Sequence, residues 1–417
     1  MIITDLPEAV TTDDLAARTS ASRTLSRLSR PRLSLAPTLA ECVAAVALVV
    51  QPINSTGPLS DYVTPTVKAV TAILALAVAL VTLLVRSDRS ALGRGYLGAI
   101  ALLGLYLAWP IAVGILFYSL PSQRHMLALQ AVFVVAICVL LDRLRPGGMF
   151  VASYWASVVL LVIGVGSGAS TPWQGGDVRA SAGMHPITLG LTAAFVLISS
   201  IVVLRHRRLL LRLIVSSLAV IALLLSFSRT AIVLTAFAVF VLWMSKVDRY
   251  AVARYLLGLW LVVAGVILVP GQIIGFLAKG DPESLASGTG RTTIWLRIWD
   301  FRSNFQVHGY GFAALNDMNG PDLSLLVANR GSNAENALLQ AFVMGGWIGA
   351  VLWIVAIGYV IVFCLHAVRP RGEIVALLVT VLGGALTVHS LSGFGHPWTL
   401  LLATLSFALA CRELARG

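Results

Sequence analysis

Three arginines in this chain stand where an arginine is costly or conspicuous. Arg229 lies in "LLLSFSRTAIVL", residues 223–234, and is the one charge among the 33 residues between Arg212 and Lys246. An arginine near a bilayer centre costs at least about 2.5 kcal/mol, so its presence is a functional hypothesis by default. Arg179 lies in "DVRASAGMHPITLG" and Arg291 in "SGTGRTTIW". The whole chain has only three lysines, so arginine is the cation it uses at these places. A guanidinium is a planar fork matched to phosphate oxygens, whereas an ammonium is a point charge. The chemistry on offer is the grip of an oxyanion. Each residue also has a structural alternative. Arg179 is also an ordinary loop arginine, Arg291 a solvated or snorkelling one, and Arg229 a partner for Ser226, Ser228 or backbone carbonyls.

A second group is Glu335 and Asn336, in "GSNAENALLQAFVMGGWIGAVL". Here the alternative is a capping box, because Ser332-Asn333-Ala334-Glu335 fits S-x-x-E and would use Glu335 only to start a helix. His185, in "MHP", either meets a polar ligand or stands at an interface where Pro186 opens the next helix.

These residues need elements to hold them. The chain is 58% hydrophobic and 12% charged, with mean hydropathy +0.90. Soluble domains carry about twice that charged fraction. Apolar runs long enough to cross a bilayer recur throughout, and they do not alternate as barrel strands do. The expected fold class is therefore an all-α polytopic membrane protein. It has about twelve transmembrane helices and one large extracytoplasmic loop carrying short helices. Spans are expected near 38–52, 66–85, 96–118, 124–141, 149–166, 186–204, 209–226, 230–245, 253–274, 338–365, 373–389 and 397–412. Residues 1–37, rich in Ser, Thr and Arg without an apolar core, are expected to be a cytoplasmic tail rather than a signal peptide. Residues 38–417 are expected to form one membrane domain, without an internal repeat.

The net charge of +12 does not signal nucleic acid, because the basic residues sit in short loops between apolar segments. One side of the predicted membrane receives 21 of them and the other 9. The positive-inside rule puts the richer side, with both termini, in the cytoplasm. That assignment also bears on Arg229. One continuous helix over 213–245 would invert every short basic loop downstream, so a tight hairpin with Arg229 at its outer turn is expected. The four cysteines fall in apolar segments without metal spacing.

Segment 275–337 is the one long outer loop, and long loops without structure of their own are usually functional. It contains "RTTIWLRIWDFRSNF", in which Ile294, Trp295, Ile298, Trp299 and Phe305 make an apolar face at helical spacing. An interfacial helix lying on the membrane is expected, followed by a glycine turn in "HGYGF". No P-loop, H-E-x-x-H or G-x-S-x-G occurs. The outer acidic residues show no D-x-D spacing for a divalent metal, so neither metal nor cofactor is expected. Converging arginines at an outer membrane surface would suit a lipid-linked pyrophosphate.

At these motifs the sequence resembles the O-antigen ligase and O-antigen polymerase superfamily of bacterial membrane glycosyltransferases. "RASAGMHPITLG" is similar to the family's Arg…Gly…His-Pro-Asn segment, with Ile187 where Asn is usual. "SFSRTA" is similar to its Ser-Arg-Ser/Thr segment. "GRTTIWLRIWDFRSNFQVHGYGF" is similar to its Gly-Arg…Trp…Gly-x-Gly segment, and "NAENALLQAFVMGGWIG" to its His-Asn…Leu-Gln…Gly segment. The resemblance covers roughly residues 150–365. It implies a polyprenyl-pyrophosphate-linked glycan as donor, a glycan or lipid-linked acceptor hydroxyl, and inversion without a metal on the outer face of the cytoplasmic membrane. Arg229, with Arg179 and Arg291, would stabilise the leaving pyrophosphate, and His185 and Asn336 would help bind substrate. Glu335 stands where the family often has His. A carboxylate can serve as general base there if desolvation raises its pKa. Two other classes stay open. One is a transporter or flippase of lipid-linked or small anionic substrates, to which twelve spans with both ends inside would also suit. The other is a scaffold that binds lipid-linked glycans without turnover.

Overall fold

The computed structural model describes residues 37–50, 65–85, 94–118, 121–166, 170–172, 178–180, 186–205, 207, 209–226, 228–245, 291–300, 303, 307–311, 336–366, 371–387 and 396–414. Among the described residues the fold is helical apart from one hairpin of three residues a side. In chain order the elements are α1 (Leu39–Val50), α2 (Pro65–Val85), α3 (Arg94–Val113) running into a π-helical turn (Gly114–Tyr118), α4 (Pro121–Arg143) and α5 (Pro146–Gly166). The strands β1 (Ser170–Pro172) and β2 (Val178–Ala180) follow, then α6 (Pro186–Val203), α7 (Leu209–Leu225) and α8 (Arg229–Ser245). The remainder is α9 (Arg291–Asp300), α10 (Ala337–Leu365), α11 (Arg371–Thr387) and α12 (His396–Leu414).

Large apolar residues crowd both the inside and the outside of these helices. Leu84, Leu209 and Leu210 are exposed while Leu140, Leu161 and Leu189 are fully buried. A helix that is apolar all round belongs in a membrane or a deep core. Among the described residues, Tyr96–Leu116, Pro146–Gly166 and Ala337–Leu365 are long and apolar enough to cross a membrane, and further apolar helices are shorter. The chain is an integral membrane protein. The expected span 253–274 lies outside the described residues.

The centre is α5, α6 and α12. Phe150 stacks on Phe407 at 4.6 Å and meets Phe195 edge-on at 6.2 Å. The Tyr154 and Ser200 hydroxyls are hydrogen-bonded at 2.9 Å, satisfying two polar groups inside that core. Around this centre α11 packs against both α6 and α8. Adjacent glycines make the approach possible. A Cβ on Gly383 would meet the Leu234 side chain of α8, and one on Gly384 the Leu191 side chain of α6. Small residues at such contacts let membrane helices close up where apolar burial alone gives no drive.

The short α1 is held by charge as well as by packing. Thr38 and Glu41 form a capping box, with Thr38 N donating to Glu41 Oε2 at 2.7 Å and Glu41 N donating to Thr38 Oγ1 at 3.4 Å. The same carboxylate accepts from Arg145 at three atoms, Nε at 3.0 Å, Nη2 at 3.1 Å and backbone N at 3.2 Å. Glu41 is 1% exposed and the Arg145 side chain 32%. Gly148, in the first turn of α5, leaves the space that the carboxylate fills.

Candidate functional site

The break that sets Arg229 at a helix start is built by two serines. Ser226 N still donates to Ala222 O at 3.0 Å, but the Ser226 hydroxyl turns back to Leu223 O at 2.7 Å and accepts from Ser228 N at 3.3 Å. Ser228 then caps α8. Its Oγ accepts from Ala231 N at 3.3 Å and its carbonyl from Ile232 N at 3.0 Å. The turn is satisfied by its own chain, as backbone within a membrane protein must be. α7 and α8 are each 17 residues long, one on each side of the expected turn. They splay instead of pairing closely, α7 against α5 and α6 and α8 against α6 and α11.

Ser226 and Ser228 are buried, so Arg229, half-buried itself, rises from protein interior rather than from a lipid-facing surface. Gly190 of α6 makes this possible. A Cβ there would lie 2.7 Å from Ala231 Cβ and 2.8 Å from Ser226 Oγ. The turn therefore rests on bare α6 backbone.

Arg179 is carried to the same corner. Its strand β2 pairs antiparallel with β1, Arg179 opposite Thr171, and touches both α6 and α7. Ala180 is only six residues from Pro186, which opens α6 as a first-turn proline can. His185 lies outside the described residues. Arg179 and Arg229 thus stand on elements gathered about the start of α6.

The other residues belong to a second assembly. Arg291 is the first residue of α9. Ile298 of α9 is 4% exposed and packs on Phe342, Val343 and Ala350 of α10. Trp299 meets Trp347 edge-on at 6.4 Å. The face that periodicity assigned to the membrane surface is thus used, at Ile298, on protein. Phe305, expected to share that face, lies outside the described residues.

α10 begins at Asn336, not at Ser332. Asn336 is extended (φ −152°, ψ 129°), and its side chain accepts from Leu338 N at 3.0 Å and Leu339 N at 3.1 Å. The S-x-x-E box is therefore not what starts this helix. Glu335 lies outside the described residues.

Ten residues on, α10 breaks. Gly346 has φ 61° and ψ −155°, a region essentially reserved for glycine. The carbonyls freed there find partners elsewhere in the chain. Tyr310 N donates to Val343 O at 3.0 Å, Gly311 N to Met344 O at 2.8 Å, and Trp109 Nε1 of α3 to Gly345 O at 2.9 Å. Ile348 N donates in turn to Val307 O at 3.2 Å. Both glycines of "HGYGF" have positive φ, Gly309 71° and Gly311 86°. Gly311 sits on Gly114, where a Cβ would lie 2.6 Å from backbone N. This junction, with its π turn in α3, is absent from the sequence expectations. The glycine pairs in "HGYGF" and "VMGGW" were its only visible trace.

The two assemblies are joined through α11, which packs on α6 and α8 on one side and on α10 on the other. Arg229 and Arg291 are each the first residue of a helix. A helix N-terminus carries about half a positive charge, so a cation there is opposed by roughly 0.3–1 kcal/mol and an anion favoured. Each of these helix starts suits a bound anion and gains nothing from a cation alone.

Residues 214–354 match the family model described as O-antigen ligase. The matched stretch takes in most of α7, all of α8 and α9, and α10 past its break, and leaves Arg179 and His185 outside. No curated protein matches the chain.

Proposed function

We propose a specific reaction for this chain, supported by the match of residues 214–354 to the family model described as O-antigen ligase. The protein moves a glycan from a polyprenyl pyrophosphate to an acceptor hydroxyl on the outer face of the cytoplasmic membrane. The observation that carries this reading is Arg229, set at the start of α8 on a buried turn within the family-matched stretch. An arginine there presents a planar fork at the positive end of a helix, where an oxyanion is favoured.

The acceptor oxygen bonds to the anomeric carbon as the bond from that carbon to the phosphate oxygen breaks. The electron pair leaves with the polyprenyl pyrophosphate, and the acceptor proton goes to Glu335. Arg229, with Arg179 and Arg291, stabilises the charge growing on the leaving group, so no metal is required. Fixed donors in a site poor in water are worth more than in bulk solvent. Attack opposite the leaving group inverts the anomeric centre. His185 and Asn336 help bind substrate. The chain crosses the membrane twelve times, with residues 1–37 and the C-terminus inside and the loop 275–337 outside.

The test uses purified protein in liposomes, native-host polyprenyl-pyrophosphate oligosaccharides, and a chelator in place of metal. A ladder of lengths identifies a polymerase and a single-step product a ligase. Arg229→Ala should lower the rate by about 10²–10³-fold, the usual loss for one oxyanion donor. Glu335→Gln should abolish the general-base limb of the pH profile. A folded wild type that transfers no glycan from a correct donor would end the enzyme reading.

A further inference from the structure

The break in α10 is spliced to three other pieces of chain, and its first arm has a defined tip. We infer that Gly346 and Trp109 are positioning residues: Gly346 through the splice at Val307–Gly311 and Trp109 through its bond to Gly345 O set the direction of the arm Ala337–Gly345, and so govern the acceptor half of the reaction more than donor binding. The inference rests on the transferase reading above.

The direction of the arm is fixed by hydrogen bonds to its backbone as well as by the packing of Ile298 on Phe342 and Val343. Carbonyls of Val343, Met344 and Gly345 each accept a bond from outside α10, and Ile348 N donates to Val307 O. Unmade, the bonds to Val343, Met344 and Gly345 would leave carbonyls of buried residues unpaired, which is costly. The splice therefore admits few arm directions. It also excludes side chains. A Cβ on Gly346 would strike the Val307 carbonyl, and a Cβ on Gly309 would lie 2.7 Å from Gly345 N. Trp109 contributes from α3, and Gly311 docks on Gly114 of the π turn in the same stretch. π-helical turns of this kind are often found at functional sites.

The arm's tip is Asn336, the residue after Glu335. The elements carrying Arg179 and Arg229 are different ones, gathered about α6, whereas Arg291 opens α9, which packs on the arm at Phe342 and Val343. A tilt of the arm would displace Asn336 and leave Arg179 and Arg229 where they stand. A purely structural role for the splice would lower donor binding and turnover alike, by loss of folded protein.

Two variants in lipid nanodiscs test this. Gly346→Ala forces a residue with a Cβ into the break, and Trp109→Phe removes only the indole N–H. Donor affinity is measured with polyprenyl pyrophosphate bearing no glycan, turnover with the glycan-bearing donor, and the splice by hydrogen exchange at Tyr310 and Gly311. Faster exchange is expected in Gly346→Ala, with kcat down about 100-fold, the scale of a 1 Å misplacement. Trp109→Phe should lower kcat about tenfold, as for one unpaired carbonyl. Donor affinity should fall far less than kcat, because Arg179 and Arg229 keep their places. Unchanged kcat in both variants overturns the inference, as does a donor affinity that falls as far as kcat. If Gly346→Ala does not fold, Trp109→Phe decides. A wild type that neither binds nor transfers donor removes the transferase reading and this inference with it, a result distinct from an active wild type with insensitive variants.

Discussion

Gly190→Ala replaces a hydrogen of α6 with a methyl group, directly under the turn that carries Arg229. The new Cβ would stand 2.7 Å from Ala231 Cβ and 2.8 Å from Ser226 Oγ. Carbon atoms rest at about 3.5–4.0 Å, so the turn must retreat by about 1 Å. Ser226 cannot retreat freely, because its hydroxyl holds Leu223 O and Ser228 N. Overpacking of this kind costs about 1–3 kcal/mol. Exchanging Gly for Ala inside a helix returns about 1 kcal/mol. The net loss of stability is thus about 0–2 kcal/mol, and the protein should remain folded. Activity is more sensitive, since misplacing a transition-state contact by about 1 Å costs on the order of 10²-fold. The assay is glycan transfer alongside thermal unfolding in nanodiscs. Gly358→Ala is the control, because no atom lies within 4 Å of a Cβ at that helical position. It should be neutral or slightly stabilising and fully active. If Gly190→Ala transferred glycan at the wild-type rate, the turn would not be positioning Arg229 for the reaction.

Two further outcomes follow from the same geometry. Glu41→Gln leaves Arg145 without its counter-charge and should cost about 2–3 kcal/mol in thermal unfolding, below the 3–5 kcal/mol of a fully buried pair because Arg145 keeps some water. The Glu41 hydrogen bonds hold the Arg145 guanidinium above its ordinary pKa. This contribution is present below the ordinary arginine value and is lost only as pH rises through the raised one, so it should be flat across neutral pH. Asn336→Ala should cost about 1 kcal/mol of stability through loss of the cap, while Asn336→Asp should restore it. An Asp variant that is stable but inactive would show that the amide has a second use.

The α7–α8 break was legible because two independent signals agreed. A lone arginine in an apolar run marked the place, and the distribution of basic residues favoured reversal over one long span. The start of α10 was harder. Ser332 and Asn336 are both good caps, and the S-x-x-E spacing favoured the wrong one, although Asn336 stands immediately before the apolar run Ala337–Leu338–Leu339. The break at Gly346 was not legible, because hydropathy reads straight through "VMGGWIG" and its partners lie at Trp109 and Val307–Gly311. Bonds that distant leave no period in a sequence. For the same reason the apolar face of α9 could be found but not its target. Ile298 suits α10 as well as it suits lipid.

The break in α10 also has a bearing on bilayer thickness. At 1.5 Å per residue its 29 residues would be about 44 Å long if straight. A hydrocarbon layer is about 30 Å thick, so an unbroken α10 would overshoot it by about 14 Å. The part from Gly346 to Leu365 alone would match the layer, and the break would let the first arm take up the excess by turning at the lipid boundary. Lipid chain length thus becomes a mechanical input. A thicker membrane draws on the arm and a thinner one releases it, so the same protein would hold its acceptor groups at different heights in membranes of different thickness.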